Sequence, residues 1–393
     1  MTTLGKLAML LLVTLAFLCV AYMCVMYSRY VGKVVAVDLQ TGETNIWNAL
    51  CSNLTFIPQE ADCPVEDRNG AGIWSRGSVV DGGDDSIFVA TGNGLFNANE
   101  GGFYWGDSLM RLRKGLRVAD GPVILDSYTP TTYKDMQDKD YDLGSSSPCI
   151  LPIIPLSNTP YMIVQASKDF QLRLLNREDL SGQGCCANVG GEVHSVPFED
   201  GFIFNHPLAW YDDEFNAMWV FVTTTDNEAI NSPSGHGFHA FQVLTDETGA
   251  STLSLNYTLP LFGSSPFMAN GVLFQQTYTG LYALDPSTGR TLWVSGATGG
   301  LHWQSPIVVN GRVYTSDDSG NIYAWGVTNP NPEPNFPVWA LILCAVAAVA
   351  LVAGAGRYCY SSSYRYCSSE PQSQEEEGVE KHSLLPEGSN HHI

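Results

Sequence analysis

Trp74, Asn93, Asp140 and Asp142 have the types for chemistry on a small molecule. Asn93 stands in Thr-Gly-Asn-Gly (91–94), and the two aspartates flank Tyr141 just before Leu-Gly-Ser-Ser-Ser-Pro (143–148). A carboxylate can accept a hydroxyl proton as hydride leaves the adjacent carbon. Amide and carboxylate oxygens are the ligands that a hard cation such as Ca²⁺ requires. An indole face is a stacking platform for a planar ring. Each residue also has a plainer reading: Asn93 suits a hairpin turn, Asp140 and Asp142 suit solvated loops or tethers between sheets, and Trp74 suits a core.

The elements that must position these residues are announced by a repeated phrase. VVAVDLQTGETNIW (34–47) returns as GLYALDPSTGRTLW (280–293), each with Ala, an apolar residue and Asp, then Thr-Gly, then a closing Trp. The phrase predicts a β-hairpin: Asp and Gly bracket a tight turn, and alternating apolar residues on either side bury one face. Looser copies lie at 237–259 and 320–327. Pro148, Pro207, Pro266 and Pro306 each open a β-rich run, as Pro is tolerated at a strand's first residue. Between the last two lie about 40 residues, the length of one four-stranded blade. Recurrence of this kind predicts an all-β chain, a β-propeller rather than a β-sandwich, with no long helix between its ends. About five blade starts and a half-blade at 31–47 place the total between five and eight, with fewer than eight favoured. Closure should pair the strands near 34–47 with those near 311–325, since both otherwise leave an open sheet edge.

These phrases resemble the pyrroloquinoline quinone (PQQ) repeats of quinoprotein alcohol dehydrogenase-like proteins over most of 31–327. IWSRGSVVDGGDDSIFVATGNG (73–94), DYDLGSSSP (140–148) and LLNREDLSGQG (174–184) look nearest the polyvinyl-alcohol-dehydrogenase branch. The resemblance implies that Asn93 ligates a Ca²⁺ that polarises the quinone. It implies that Asp140, with Asp142 as the alternative, takes the alcohol proton, and that Trp74 stacks on the cofactor ring. The chain departs from the family in one respect: no residue matches the Glu that an early blade contributes to the calcium site. That departure points to a degenerate site from which PQQ and Ca²⁺ have been lost.

The rest of the chain sets compartment and topology. Residues 7–27 and 337–356 carry no charged side chain, and each is long enough for a hydrocarbon core of ~30 Å. The first reads as a transmembrane helix, a signal anchor or a cleaved signal sequence. Arg357 and Arg365 after the second predict a cytoplasmic exit. The boundaries are then a cap at 1–6, a span at 7–27, a propeller at 28–330, a Pro-rich linker at 331–336, a span at 337–356 and a disordered cytoplasmic tail at 357–393. The propeller becomes lumenal or extracellular, which agrees with sequons at Asn53 and Asn256 and with a Cys51–Cys63 disulfide across a short loop. Adjacent Cys185 and Cys186 can form a vicinal disulfide or remain thiols. Glu380, Leu384 and Leu385 resemble an acidic dileucine signal read by clathrin adaptors, which points to endosome, lysosome or cell surface. With 19 Lys and Arg against 40 Asp and Glu, a net charge of −21, the chain repels nucleic acid.

Two functions fit these features. One is a membrane-anchored module or scaffold that binds a protein or glycan; the other is a PQQ- and Ca²⁺-dependent oxidoreductase acting on alcohols or sugars. The missing Glu and the lack of a Cys-x-x-Cys-His haem motif favour the first.

Overall fold

A computed structural model describes residues 30–326, apart from 60, 65–69, 76, 78, 183–187, 199–200, 225–236 and 302–303. Both apolar segments, the tail with Glu380, Leu384 and Leu385, and Cys185-Cys186 lie outside the described residues. Among the described residues no helix is long and apolar enough to cross a membrane.

The described chain opens with a hairpin of β1 (Lys33–Val37) and β2 (Thr44–Asn48). Four antiparallel meanders of four strands follow. The first holds β3 (Val80–Asp81), β4 (Ser86–Ala90), β5 (Leu109–Arg113) and β6 (Ile124–Tyr128). A seven-residue helix, α1 (Tyr133–Lys139), leads to the second, with β7 (Cys149–Ile150), β8 (Met162–Ala166), β9 (Gln171–Asn176) and β10 (His194–Pro197). The third holds β11 (Leu208–Asp212), β12 (Ala217–Thr223), β13 (Phe238–Thr245) and β14 (Ser251–Leu259). The fourth holds β15 (Phe267–Ala269), β16 (Val272–Thr277), β17 (Gly280–Leu284) and β18 (Thr291–Val294). A three-stranded sheet of β19 (Ile307–Val309), β20 (Arg312–Ser316) and β21 (Ile322–Gly326) ends the series.

The recurring phrase owes its shape to one carboxylate and one glycine. Asp38 Oδ1 accepts the N–H groups of Gln40 and Thr41, both at 2.9 Å, and Gly42 closes the turn at φ 73°. Asp285 Oδ1 accepts those of Ser287 and Thr288 at 3.1 Å, with Gly289 at φ 70°. In each case the side chain satisfies N–H groups that no ladder reaches, and glycine takes the left-handed conformation without a Cβ penalty. These bonds from Thr41 and Gln40 hold the Asp38 carboxyl below its usual range.

Successive sheets stack face to face, which the inner strands reveal by being buried on both sides. Every residue of β8 is buried. Met162, Val164 and Ala166 join Val220, Val222 and Phe241 of the third sheet, while Ile163 joins Phe88 and Leu109 of the first. In β12, Met218, Val220 and Val222 face the second sheet and Trp219 and Phe221 face Leu273 and Leu284 of the fourth. A two-layer sandwich would leave one face of each sheet outward; a sheet covered by neighbours on both faces is what a propeller blade requires.

The Ser-Pro phrases that mark blade starts are also the joints between blades. Ser147 Oγ accepts the Gly77 N–H at 2.7 Å, Ser146 Oγ donates to the Asn205 carbonyl at 2.7 Å, and Ser265 Oγ accepts the His206 N–H at 2.9 Å. Gln165 and Gln275 donate to carbonyls of their own blade starts, Ser146 and Ser264. The amide nitrogens and serine hydroxyls at these joints are thus paired, whereas Oε1 of Gln165 and of Gln275 is buried without a partner.

The expected ladder between the first and last segments is not formed: β1–β2 and β19–β21 are separate sheets. The hairpin is held elsewhere, because Val34 and Trp47 enter the core of the first meander beside Val89, Met110 and Leu112. Cys51 and Cys63 lie in the same cluster and are joined by a disulfide with Cα atoms 5.9 Å apart. Asn53 and Asn256 are exposed. Cys149 is a free, buried thiol whose pKa burial pushes up to about 12.

Candidate functional site

A cavity of about 580 Å³ opens between the segment before β3, the α1–β7 connection and the β8–β9 turn. Trp74, Asp140 and Asp142 line it together with Tyr30, Lys168 and Phe204. Trp74 is 53% exposed, with Tyr30 edge-on to its ring at 4.9 Å. An exposed indole beside a cavity is a free stacking surface, not a core residue.

The centre of the site is an ion pair. Asp142 has a side chain only 8% exposed; its Oδ1 accepts the Asn93 backbone N–H at 2.8 Å and its Oδ2 is bound by Lys168 Nζ. Lys168 Nζ also reaches Asp140 Oδ2 at 3.5 Å and lies 5.9 Å over the Phe204 ring. Burial alone would lower the Lys168 pKa, but Asp142 and then Asp140 outweigh it and hold the ammonium above the usual lysine value. Asp140 itself is 78% exposed, at the rim, and caps α1 in the left-handed conformation. The glycine of Thr-Gly-Asn is a steric requirement here: a Cβ on Gly92 would sit 2.2 Å from Asp142 Oδ1 and 2.9 Å from Trp74 Cδ1.

Asn93 stands behind the cavity, not in its lining. It is 1% exposed, and its Nδ2 donates to the Met136 carbonyl at 2.8 Å and to Asp107 Oδ2 at 3.3 Å. Asp107, which sequence reasoning missed, also accepts the Leu143 N–H at 3.0 Å and so ties three loops together behind the site. Burial pushes the Asp107 carboxyl well above its usual 3.8, with Asp142 and Asp169 adding to the rise. The unfolded chain releases this proton near pH 3.8 while the fold keeps it to higher pH, so stability falls as pH rises through that window. Asp107→Asn should flatten this slope in a urea-unfolding series run upward from the ordinary carboxylate value of 3.8. An unchanged slope would mean that Asp107 is ionised in the fold.

Sequence reasoning also missed Lys168, Tyr30 and Phe204. The one available signal was a lysine in the Ser-Lys-Asp-Phe turn of a chain poor in cations.

The donor set does not fit Ca²⁺. Asn93 Oδ1 is buried without a hydrogen-bond partner and would suit a cation. A calcium site needs six to eight oxygens, yet both Asp142 oxygens are committed, one of them to an ammonium. Among the described residues no group of three or more His, Cys, Asp or Glu side chains is placed to hold a metal. The exposed face of Trp74 offers room for a planar ring, with the Lys168 ammonium beside it between Asp142 and Asp140.

Comparison with known proteins gives a family match to part of the chain. Residues 220–341 match the family model PQQ_2, described as outer membrane protein assembly factor BamB. No curated protein sequence matches. Among solved structures, quinohemoprotein alcohol dehydrogenase from Comamonas testosteroni shares 15% identity at a TM-score of 0.44, over 79% of this chain and 58% of that one. Quinohemoprotein alcohol dehydrogenase ADHIIG from Pseudomonas putida HK5 shares 13% at 0.46, over 79% and 60%. BamB from Moraxella catarrhalis shares 14% at 0.37, over 64% and 57%. The chain thus spans less than two thirds of each of these structures. The second full copy of the phrase, at 280–293, lies inside the matched segment, so that segment matches the PQQ-repeat family which the phrase itself resembles.

Proposed function

We propose that this chain is a binding module whose Trp74 pocket takes a planar aromatic anion of the PQQ type, with the quinoprotein site degenerate. The observation that carries this reading is the commitment of Asp142. Its oxygens are held by Asn93 N–H and by Lys168, so it serves to fix an ammonium beside the indole. Spans at 7–27 and 337–356 would anchor the module, with the PQQ-like blades lumenal or extracellular, Asn53 and Asn256 glycosylated, and the tail offered to clathrin adaptors through Glu380, Leu384 and Leu385. When bound, PQQ would supply two-electron redox chemistry; the residues here bind and orient it.

A second reading, the alcohol or sugar oxidoreductase, is favoured by the convergence of Trp74, Asp140 and Asp142 on one cavity and by the unpartnered Asn93 Oδ1. The two readings separate in a turnover assay. The full chain, given PQQ, Ca²⁺ and a primary alcohol, is expected not to reduce an artificial electron acceptor. Turnover that disappears in Asp140→Asn, which removes the exposed carboxylate at the rim and keeps its shape, would establish the oxidoreductase instead.

A further inference from the structure

Across the wall formed by the Asp140–Asp142 and Lys168–Phe170 segments lies a second cavity, of about 480 Å³. The Arg173 side chain lines it and is only 4% exposed. Its Nη1 donates to Asp169 Oδ1 at 3.0 Å and to Ser167 Oγ at 3.1 Å, and its Nη2 pairs with Asp169 Oδ2. A guanidinium has five N–H donors, and none of these bonds uses the one on Nε. Nε stands 3.8 Å from Glu192 Oε1, too far for a direct hydrogen bond. The Tyr128 hydroxyl binds the same Glu192 oxygen and fixes the carboxylate. An N–H and a carboxylate oxygen at this spacing are matched by a group that accepts from one and donates to the other. A hydroxyl does both.

The remainder of the lining supports the same chemistry. Thr132, Gln171 and Ser195 add neutral donors and acceptors, and Tyr141 and Phe170 contribute rings whose centroids are 5.3 Å apart. Arg173 faces the buried Asp169 and the half-buried Glu192, and Asp135 and Lys139 lie one turn apart on α1, so the lining sets three carboxylates against two cations and offers no net positive charge to hold an anion. Phe170 is held at φ 62°, whereas the matching position of the β20–β21 turn is Gly320 at φ 82°. A bulky side chain in that conformation costs ~1–2 kcal/mol, and here that conformation places an aromatic ring against the cavity.

We propose that this cavity binds a neutral polyhydroxylated ligand, a hexose unit of a glycan. Adjacent hydroxyls bridge Arg173 Nε–H and Glu192, and the C–H face of the sugar rests on the Tyr141 ring, to which Phe170 stands edge-on. This site is separate from the Trp74 pocket and does not depend on the function proposed for it. The test is saturation-transfer NMR of the full chain with the methyl glycosides of glucose, galactose and mannose. Tetrahydropyran-2-methanol, which keeps the ring but lacks the vicinal diol, is the control. At least one glycoside should bind saturably while the control does not, and Glu192→Gln and Tyr141→Leu should each weaken binding about tenfold. Glu192→Gln retains an acceptor for Tyr128, so its folding can be verified by an unchanged unfolding transition. Absence of saturable binding by all three glycosides up to about 50 mM, equal binding of the control, or full binding by Glu192→Gln would each overturn the proposal.

Discussion

Lys168→Met is expected to abolish binding of PQQ by the full chain and to lower its stability by ~3 kcal/mol, because it strips the cation from a carboxylate that burial has already desolvated. Asp142 is 8% exposed and Lys168 18%, so water cannot replace the lost ammonium fully. The deficit should extend across neutral pH. A lysine whose folded pKa lies above the usual 10.5 contributes stability that is fully present below that value and is lost only as pH rises through the folded pKa. Lys168→Arg should recover part of the stability, since it keeps the charge, but little of the binding, since a planar fork does not reproduce a point ammonium held between Asp140 and Asp142. Urea unfolding and fluorescence titration read the two effects separately. Normal binding by Lys168→Met would remove Lys168 from the site.

Trp47→Ala is expected to cost ~3–5 kcal/mol, and Trp293→Ala about 1 kcal/mol or less, although both residues close the same repeated phrase. Trp47 is 2% exposed and packed with Val89 and Met110 of the first meander, whereas Trp293 is 41% exposed and meets the edge of Trp325 at 6.2 Å. Denaturant titration of the two variants measures the difference. Equal losses would mean that the last sheet is covered in solution.

That contrast marks what the sequence made legible. The hairpin turn was readable because its cause is local: Asp38 and Asp285 satisfy the next N–H groups, and Gly42 and Gly289 supply the left-handed residue. The stacked blades were readable in the repeat spacing, and β8 and β12 show why, being buried at successive positions with a sheet on each side. The site was readable only in part. Trp74, Asp140 and Asp142 reach one cavity because their segments frame the joint between the first two blades. The inward turn of Asn93 depends on Asp107 and Met136, which are distant in sequence. Lys168 comes from a hairpin that carries no recognisable phrase, and its role follows only from the approach of Asp142. The expected pairing of the first and last segments failed for the same kind of reason, since alternation in β1 and β2 cannot say which neighbour will bury Trp47.

On the proposed reading, the Trp74 pocket holds a planar aromatic anion through Lys168 and without calcium. Equilibrium dialysis of PQQ against the full chain, in EDTA and again with added Ca²⁺, tests it directly. The expected result is saturable, stoichiometric binding of equal affinity under both conditions. Failure to bind PQQ at all, or binding that appears only with Ca²⁺, would contradict it.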